Sequence, residues 1–422
     1  MYQITRLQSG LTLASFEMPH MTSVSVGIWV KVGSRYEPLE RNGACHFIEH
    51  MLFKGTTNPS AKEISEEIEG TGGCLNAFTS EELTCFHART DHRRLEQTLD
   101  VLLDMLLNSN FHQDDIDKER EVIKEEISMT LDDPQQLVQE LLNKTLWPKQ
   151  PLGRAITGTA GTLKKLNRPE LLEWMDRNYL SSNIAIVAAG NVSHADLCRF
   201  VKPHEKRIRQ GPSPSCIPVL ERQKKPKLSR LERDVEQTQI ALGFRSCSRH
   251  DPRRLPLRIL NAVLGENMSS RLFQIIREDK ALAYSVYSQP SYFNDTGDLE
   301  ISMGLDLEKV PEALNLAVAE LHRLCEEPIT VKELRMAKDY SIGQMDLASE
   351  STETQMNWIG ENLLAYGHCN LLGTIRESLG QVTQGEIQSV AEDFFKPERM
   401  NLAIVSEVGK VPSVWQPLQF LR

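Results

Sequence analysis

Residues 202–230, KPHEKRIRQGPSPSCIPVLERQKKPKLSR, interrupt the chain near its midpoint with five prolines and nine Lys or Arg against two Glu. Such a stretch reads as a linker, so the flanking sequence must close around two separate cores. Length agrees, because 422 residues exceed one ordinary hydrophobic core and suit two domains of about 200 residues each. Both halves follow one plan. The first has an alternating strand (Val24, Val26, Ile28, Val30, Val32), then helices, strands near 74–79 and 83–90, more helices, and the closing strand NIAIVAAGN at 183–191. The second opens with TQIALGF at 238–244, has strands near 283–304 followed by helices, and closes with MNLAIVSEVG at 400–409. The matched order predicts a duplicated α+β fold, each domain an antiparallel sheet packed with helices. Expected boundaries are an N-terminal domain over 1–205, a linker over 206–230 and a homologous C-terminal domain over 231–422.

Composition narrows the function classes. With 40% hydrophobic and 25% charged residues, and no apolar run near the ~18 residues of a membrane span, a membrane role is not expected. The start MYQITRLQSGLTLASFEM lacks the basic and apolar regions of a secretory signal, which predicts a cytoplasmic protein. Eight scattered cysteines without CxxC fit free thiols better than disulfides or cysteine-only zinc sites, and of these Cys45, Cys74 and Cys85 are expected to be buried and inert, with thiol sensitivity as the alternative. The linker carries +7 in a chain of net charge −10, leaving −17 on the two lobes. Nucleic acid is therefore an improbable partner, and basic peptides would be favoured by electrostatic focusing.

One short segment carries chemistry. In GACHFIEHMLFKGT, residues 43–56, a run without internal Gly or Pro follows the turn signal Gly43 and predicts a helix. His46 and His50 then lie one turn apart on one face, where both imidazoles reach one tetrahedral Zn²⁺. Glu49, about 100° around from His50, is poorly placed as a third ligand from the same turn but can reach a water on the metal. Zinc lowers the pKa of that water toward ~7, and a carboxylate takes its proton and later hands it to a leaving amine. The spacing H-x-x-E-H is the inverted form of a zinc-peptidase motif, yet a helix carrying two incidental histidines remains open on the pentad alone. A third ligand must come from elsewhere, and the best source is the acidic helical stretch DDIDKEREVIKEEISMTLDDP at 114–134. There Glu119 and Glu126 share a face with Val122, Ile123 and Met129, although a solvated acidic face is the competing reading.

Beyond the pentad, NGACHFIEHMLFKGT (42–56), GGCLNAFTSEELTCFHA (72–88), KEREVIKEEISMTLDDP (118–134), LGRAITGT (152–159) and MSSRLFQIIREDKALAYSVYS (268–288) resemble the pitrilysin/insulinase family of zinc metallopeptidases over essentially the whole chain. The resemblance is to the short-subunit branch, which includes mitochondrial processing peptidase and bacterial homologues. It implies His46, His50 and Glu126 as ligands of one Zn²⁺ per chain, Glu49 as general base and Glu119 as an outer carboxylate that orients the ligands. It further implies Asn76 and Ala77 of NAFT as an edge-strand platform for substrate backbone, and Arg277 with Tyr284 as a pair that holds the substrate carbonyl. Ala281 stands where a glycine is common before Leu-Ala-Tyr, and Cys45 stands where small residues are usual. His87 and His92 are expected to be structural.

A chain of this size would form half of a clamshell chamber, completed by a second copy as a homodimer or by a related chain as a heterodimer. The Arg/Tyr pair of one subunit would then serve the zinc of the other. The function expected is a zinc-dependent endopeptidase cutting short or unfolded peptides inside the closed chamber. Two alternatives are a catalytically silent peptide-binding or scaffold subunit, and a dedicated maturase of one precursor peptide.

Overall fold

Eleven strands, counted among the described residues 2–409 of the computed structural model, form two sheets. The first contains β1 (Tyr2–Arg6), β2 (Thr12–Glu17), β3 (Ser23–Val30), β4 (Cys74–Thr79), β5 (Thr84–Asp91) and β6 (Ile184–Gly190) in the order β1-β2-β6-β3-β5-β4. The second contains β7 (Lys227–Glu232), β8 (Thr238–Ser246), β9 (Ala283–Tyr292), β10 (Gly297–Leu305) and β11 (Met400–Ser406) in the order β7-β11-β8-β10-β9. Every pairing is antiparallel except β2 with β6 and β7 with β11. With β1 set aside, the two orders match strand for strand, including the position of the parallel pair. The duplicated α+β plan expected from the sequence is thus present in the connectivity.

The chain does not divide at a linker into two contiguous domains. Among the described residues, one compact unit comprises those through Ile127, Arg154–Ile217 and Leu347–Asn370; the other comprises Ser128–Gly153, Pro218–Asp346 and those from Leu371 onward. Each half therefore gives one helix to the sheet of the other half. Of the expected linker 206–230, the part through Ile217 belongs to the first unit, and residues 227–230 begin β7.

The reason lies in the two faces of each sheet. In the first unit Val24, Val26, Ile28 and Val30 of β3 join one core beneath Phe47, Ile48 and Met51. The intervening residues Ser25, Gly27 and Trp29 are buried as well, because the helix Thr352–Tyr366 lies on the opposite face. Trp29 Nε1 donates to Met356 Sδ at 3.4 Å, and the Ser25 and Thr352 hydroxyls are 2.9 Å apart. Gly27 leaves room for this helix, since a Cβ there would meet Met356 Sδ at 2.6 Å. In the second unit Gly243 of β8 has the corresponding place, with a Cβ position 3.0 Å from Leu142 of the helix Pro134–Leu146. That helix packs Leu137, Val138, Leu142 and Leu146 against Ala241, Ala403 and Val405. A sheet apolar on both faces must be covered on both, and a helix from the distant half supplies the second cover.

Gly360 tests this packing. Alanine usually stabilises a helix interior by about 1 kcal/mol over glycine. A Cβ at Gly360, however, would collide with the Trp29 ring, and overpacking costs about 1–3 kcal/mol. Gly360→Ala should therefore lower the urea midpoint, whereas Gly343→Ala, whose Cβ meets nothing within 4 Å, should leave it unchanged or raise it.

Candidate metal centre

The predicted histidine helix runs from Ala44 to Leu52. Ala44, Cys45, Phe47, Ile48, Met51 and Leu52 are buried, which leaves His46, Glu49 and His50 on the half-exposed face. Apolar residues at helical spacing thus fix the rotation of the helix, and with it the direction of both imidazoles. Gly43 precedes the helix at φ +98°, a left-handed conformation that glycine adopts without steric cost.

The acidic helix spans Gln113–Asp132 and buries Ile116, Glu119 and Ile123 along one stripe. Glu119 is 5% exposed although it is a carboxylate in that stripe, and Glu126 lies further along, half-buried. Glu126 Oε1 is 3.5 Å from His50 Nε2, and Glu126 Oε2 is 3.8 Å from His46 Nε2. One ligating atom from each of His46, His50 and Glu126 lies within 4.8 Å of the others. Zinc bonds to N and O of about 2.0–2.2 Å imply tetrahedral edges of about 3.3–3.6 Å, and the two Glu126 separations, 3.5 and 3.8 Å, lie at or near that range.

Hydrogen bonding argues for a cation at the same point. Glu119 Oε1 pairs with Lys54 Nζ at 2.7 Å, and its Oε2 is 3.1 Å from His50 Nδ1. A carboxylate only accepts, so Nδ1 donates, which leaves Nε2 as the ring nitrogen facing the Glu126 carboxylate. A cation placed between Nε2 and that carboxylate, 3.5 Å apart, would satisfy both. Burial, reinforced by nearby His50, lowers the His46 pKa to about 4, so this imidazole offers a lone pair at pH 7. The residues present fit zinc.

Glu49 accepts a short hydrogen bond from the Thr79 hydroxyl at the end of β4. Burial raises its pKa, opposed by the Thr79 bond and His50. Among the described residues β4 is the terminal strand of its sheet and pairs only with β5, so the segment carrying Asn76 and Ala77 is an edge there. The Ala77 amide on this edge donates to Asn76 Oδ1 at 2.8 Å.

Arg277 and Tyr284 also come together. Arg277 lies in the π-helical segment Phe273–Asp279, with its guanidinium carbon 4.8 Å from the Phe273 ring centroid and 5.8 Å from that of Tyr284. Tyr284, on the edge strand β9, is 76% exposed. Ala281 between them has φ +48°, the left-handed region that explains why glycine suits this position.

His87 is buried beside Phe78 and Glu353, and His92 bonds to the Thr22 carbonyl; neither joins the ligand cluster. All eight cysteines are free, and burial raises the Cys45 and Cys85 thiols well above the ordinary range. Cys74 departs from the expected burial and is exposed on β4, because alternate residues of an edge strand face solvent. Lys54, Thr79 and the helix-capping Glu37 were not singled out from the sequence. Lys54, four residues beyond His50, was the most legible of the three.

Comparison with known proteins identifies the family. Residues 12–160 match the family model "Insulinase (Peptidase family M16)", and residues 165–340 match "Peptidase M16 inactive domain". A Bacillus subtilis protein named as the uncharacterized zinc protease YmxG is 38% identical over 411 residues, covering 96% of this chain and 98% of that protein. An uncharacterized zinc protease of Streptomyces coelicolor is 35% identical over 395 residues, 92% of this chain and 86% of its own length. Among solved structures, a protease from Helicobacter pylori superposes with a TM-score of 0.89 at 21% identity, covering 96% of this chain and 99% of that one. An M16 inactive-domain protein from Pseudomonas fluorescens also gives 0.89, at 18% identity, with coverage of 97% and 100%. With identity this high along nearly its whole length, the chain belongs to the insulinase family of peptidases, family M16.

Proposed function

We propose that the chain is a zinc-dependent endopeptidase of short or unfolded peptides. The observation that supports this reading is the convergence of two imidazole Nε2 atoms and the Glu126 carboxylate on one point, with the Glu49 carboxylate on the same helix as the two histidines. When bound, zinc supplies Lewis acidity, which acidifies water and polarises a peptide carbonyl. His46, His50 and Glu126 hold one ion per chain. Glu119 fixes the His50 ring through Nδ1, and Lys54 balances the charge of Glu119. Glu49 takes a proton from the attacking water and returns it to the leaving amine; burial brings its pKa nearer to the working pH of such a base. Asn76 and Ala77 pair with the backbone of an extended peptide by strand addition, which explains tolerance of many side chains. Arg277 and Tyr284 hold the substrate carbonyl as negative charge develops on its oxygen. The name "inactive domain" concerns 165–340, outside the span from His46 to Glu126.

The working form proposed is a cytoplasmic homodimer enclosing a chamber, with the Arg/Tyr pair of one subunit serving the zinc of the other. No described helix is long and apolar enough to cross a membrane. Acidic lobes favour basic peptides.

Zinc added to metal-stripped protein should raise the melting midpoint, by about 2.7 kcal/mol of stabilisation at a hundredfold excess over Kd. Glu126→Ala should abolish that rise while Val122→Ala keeps it, and a full rise in Glu126→Ala would remove Glu126 from the ligand set. In a digest of unstructured peptides read by mass spectrometry, Glu49→Gln should retain zinc and lose about 10²–10⁴-fold in cleavage rate. Equal cleavage by the Gln variant would end the general-base role. Mixing inactive Glu49→Gln with inactive Tyr284→Phe chains should restore activity, because one pairing joins an intact metal site to an intact Arg/Tyr pair. Mixtures shown to exchange subunits yet remaining inactive would refute action between subunits.

A further inference from the structure

The two imidazoles are held in different ways. His50 is held through its ring, by Glu119 at Nδ1. His46 Nδ1 is buried and has no hydrogen-bond partner, so no group beyond the helix fixes that ring by a hydrogen bond at this atom. The aim of His46 Nε2 must then come from packing and from its own backbone, one residue beyond Cys45 in the first turn.

That turn is clamped by a residue distant from the metal. Glu37 is completely buried, and its carboxylate accepts from the Gly43 amide at 2.8 Å, the Cys45 amide at 2.7 Å and Asn42 Nδ2 at 3.1 Å. The first amides of a helix lack intrahelical acceptors, and Gly43 has no side chain with which to cap them. Glu37 takes over that function; burial raises its pKa to about 7, opposed by these same hydrogen bonds from Cys45, Asn42 and Gly43.

Segment 154–158 encloses the same turn. Arg154 Nη2 donates to the Glu37 carbonyl at 3.0 Å, and Asn42 Nδ2 also donates to the Ala155 carbonyl at 3.1 Å. Backbone approaches so closely that a Cβ at Gly43 would meet the Thr157 carbonyl oxygen at 2.8 Å, and one at Gly158 the Asn42 carbonyl oxygen at 2.5 Å.

We propose that Glu37 is a positioning residue of the metal centre, aiming His46 through the clamped backbone of the first helical turn. The inference rests on the zinc site proposed above. It assigns a purpose to the buried acid of GSRYE and to LGRAITGT, neither of which touches the ligands through a side chain in the hydrogen bonds described.

The test is Glu37→Gln in the full chain. A glutamine amide keeps the volume but turns a donor toward donors on one side, so the clamp loosens. Zinc affinity by chelator competition should fall about 10–100-fold, the size of effect that partners supporting metal ligands commonly have. The visible absorption of the cobalt-substituted protein should change, reporting altered ligand geometry independently of activity. Wild-type affinity and an unchanged cobalt spectrum in a folded Gln variant would reduce Glu37 to a helix cap and overturn the proposal. If that variant does not fold, Asn42→Ala takes its place: it removes one of the three donors and should weaken zinc several-fold, and unchanged affinity there overturns the proposal equally. A wild-type chain that binds no zinc would refute both the metal site and the role of Glu37, whereas tight binding by both wild type and variant refutes only the latter.

Discussion

Burial of two apolar faces on each sheet is the constraint from which the rest of this architecture follows. β3 presents Val24, Val26, Ile28 and Val30 to one core and Trp29 to another, and β8 has the same two-sided character. Helices close in sequence to a strand reach one face. The second face is covered by Thr352–Tyr366 in the first unit and by Pro134–Leu146 in the second, so each unit includes chain from both halves. Gly27 and Gly243 mark the two close approaches at matching places in the duplicated plan. The cover cannot be removed from one half without exposing a sheet in the other, which makes the duplication interdependent rather than modular.

The candidate metal centre inherits its precision from this packing. Phe47, Ile48, Met51 and Leu52 hold one helix, and Ile116 and Ile123 hold the other, so two imidazoles and two carboxylates meet as a consequence of apolar burial. Most of these groups are hydrogen-bond acceptors facing one another, an arrangement that is costly without a cation and favourable with one. Lys54 balances Glu119, Thr79 engages Glu49, and Glu37 faces the helix amides. These three carboxylates therefore have distinct partners, while Glu126 faces His46 and His50.

Legibility varied with the range of the interaction. The histidine helix, the acidic helix and the edge strand 74–79 could be read because each depends on periodicity or on turn signals within a short window. The grouping of Glu119 and Glu126 on one face also followed from helical spacing. The exchange of helices could not be read, because Thr352–Tyr366 has the composition of any helix buried on one side, and nothing in it names the sheet it covers. β1, β2 and β7 escaped notice for a related reason: they lie toward one side of their sheets, β2 and β7 are held there by long-range parallel pairing with β6 and β11, β1 is attached only through β2, and β7 begins within a stretch rich in proline and charge.

By itself the sequence determined the two-fold α+β plan and the rotation of the histidine helix, both of which are local consequences of side-chain chemistry and helical or strand period. Tertiary structure alone decided which half covers which sheet, that Lys54, Thr79 and Glu37 support Glu119, Glu49 and the histidine helix, and that Ala281 adopts a left-handed conformation between Arg277 and Tyr284. These depend on distances between residues far apart in the chain or on backbone geometry imposed by packing. No one-dimensional pattern records either.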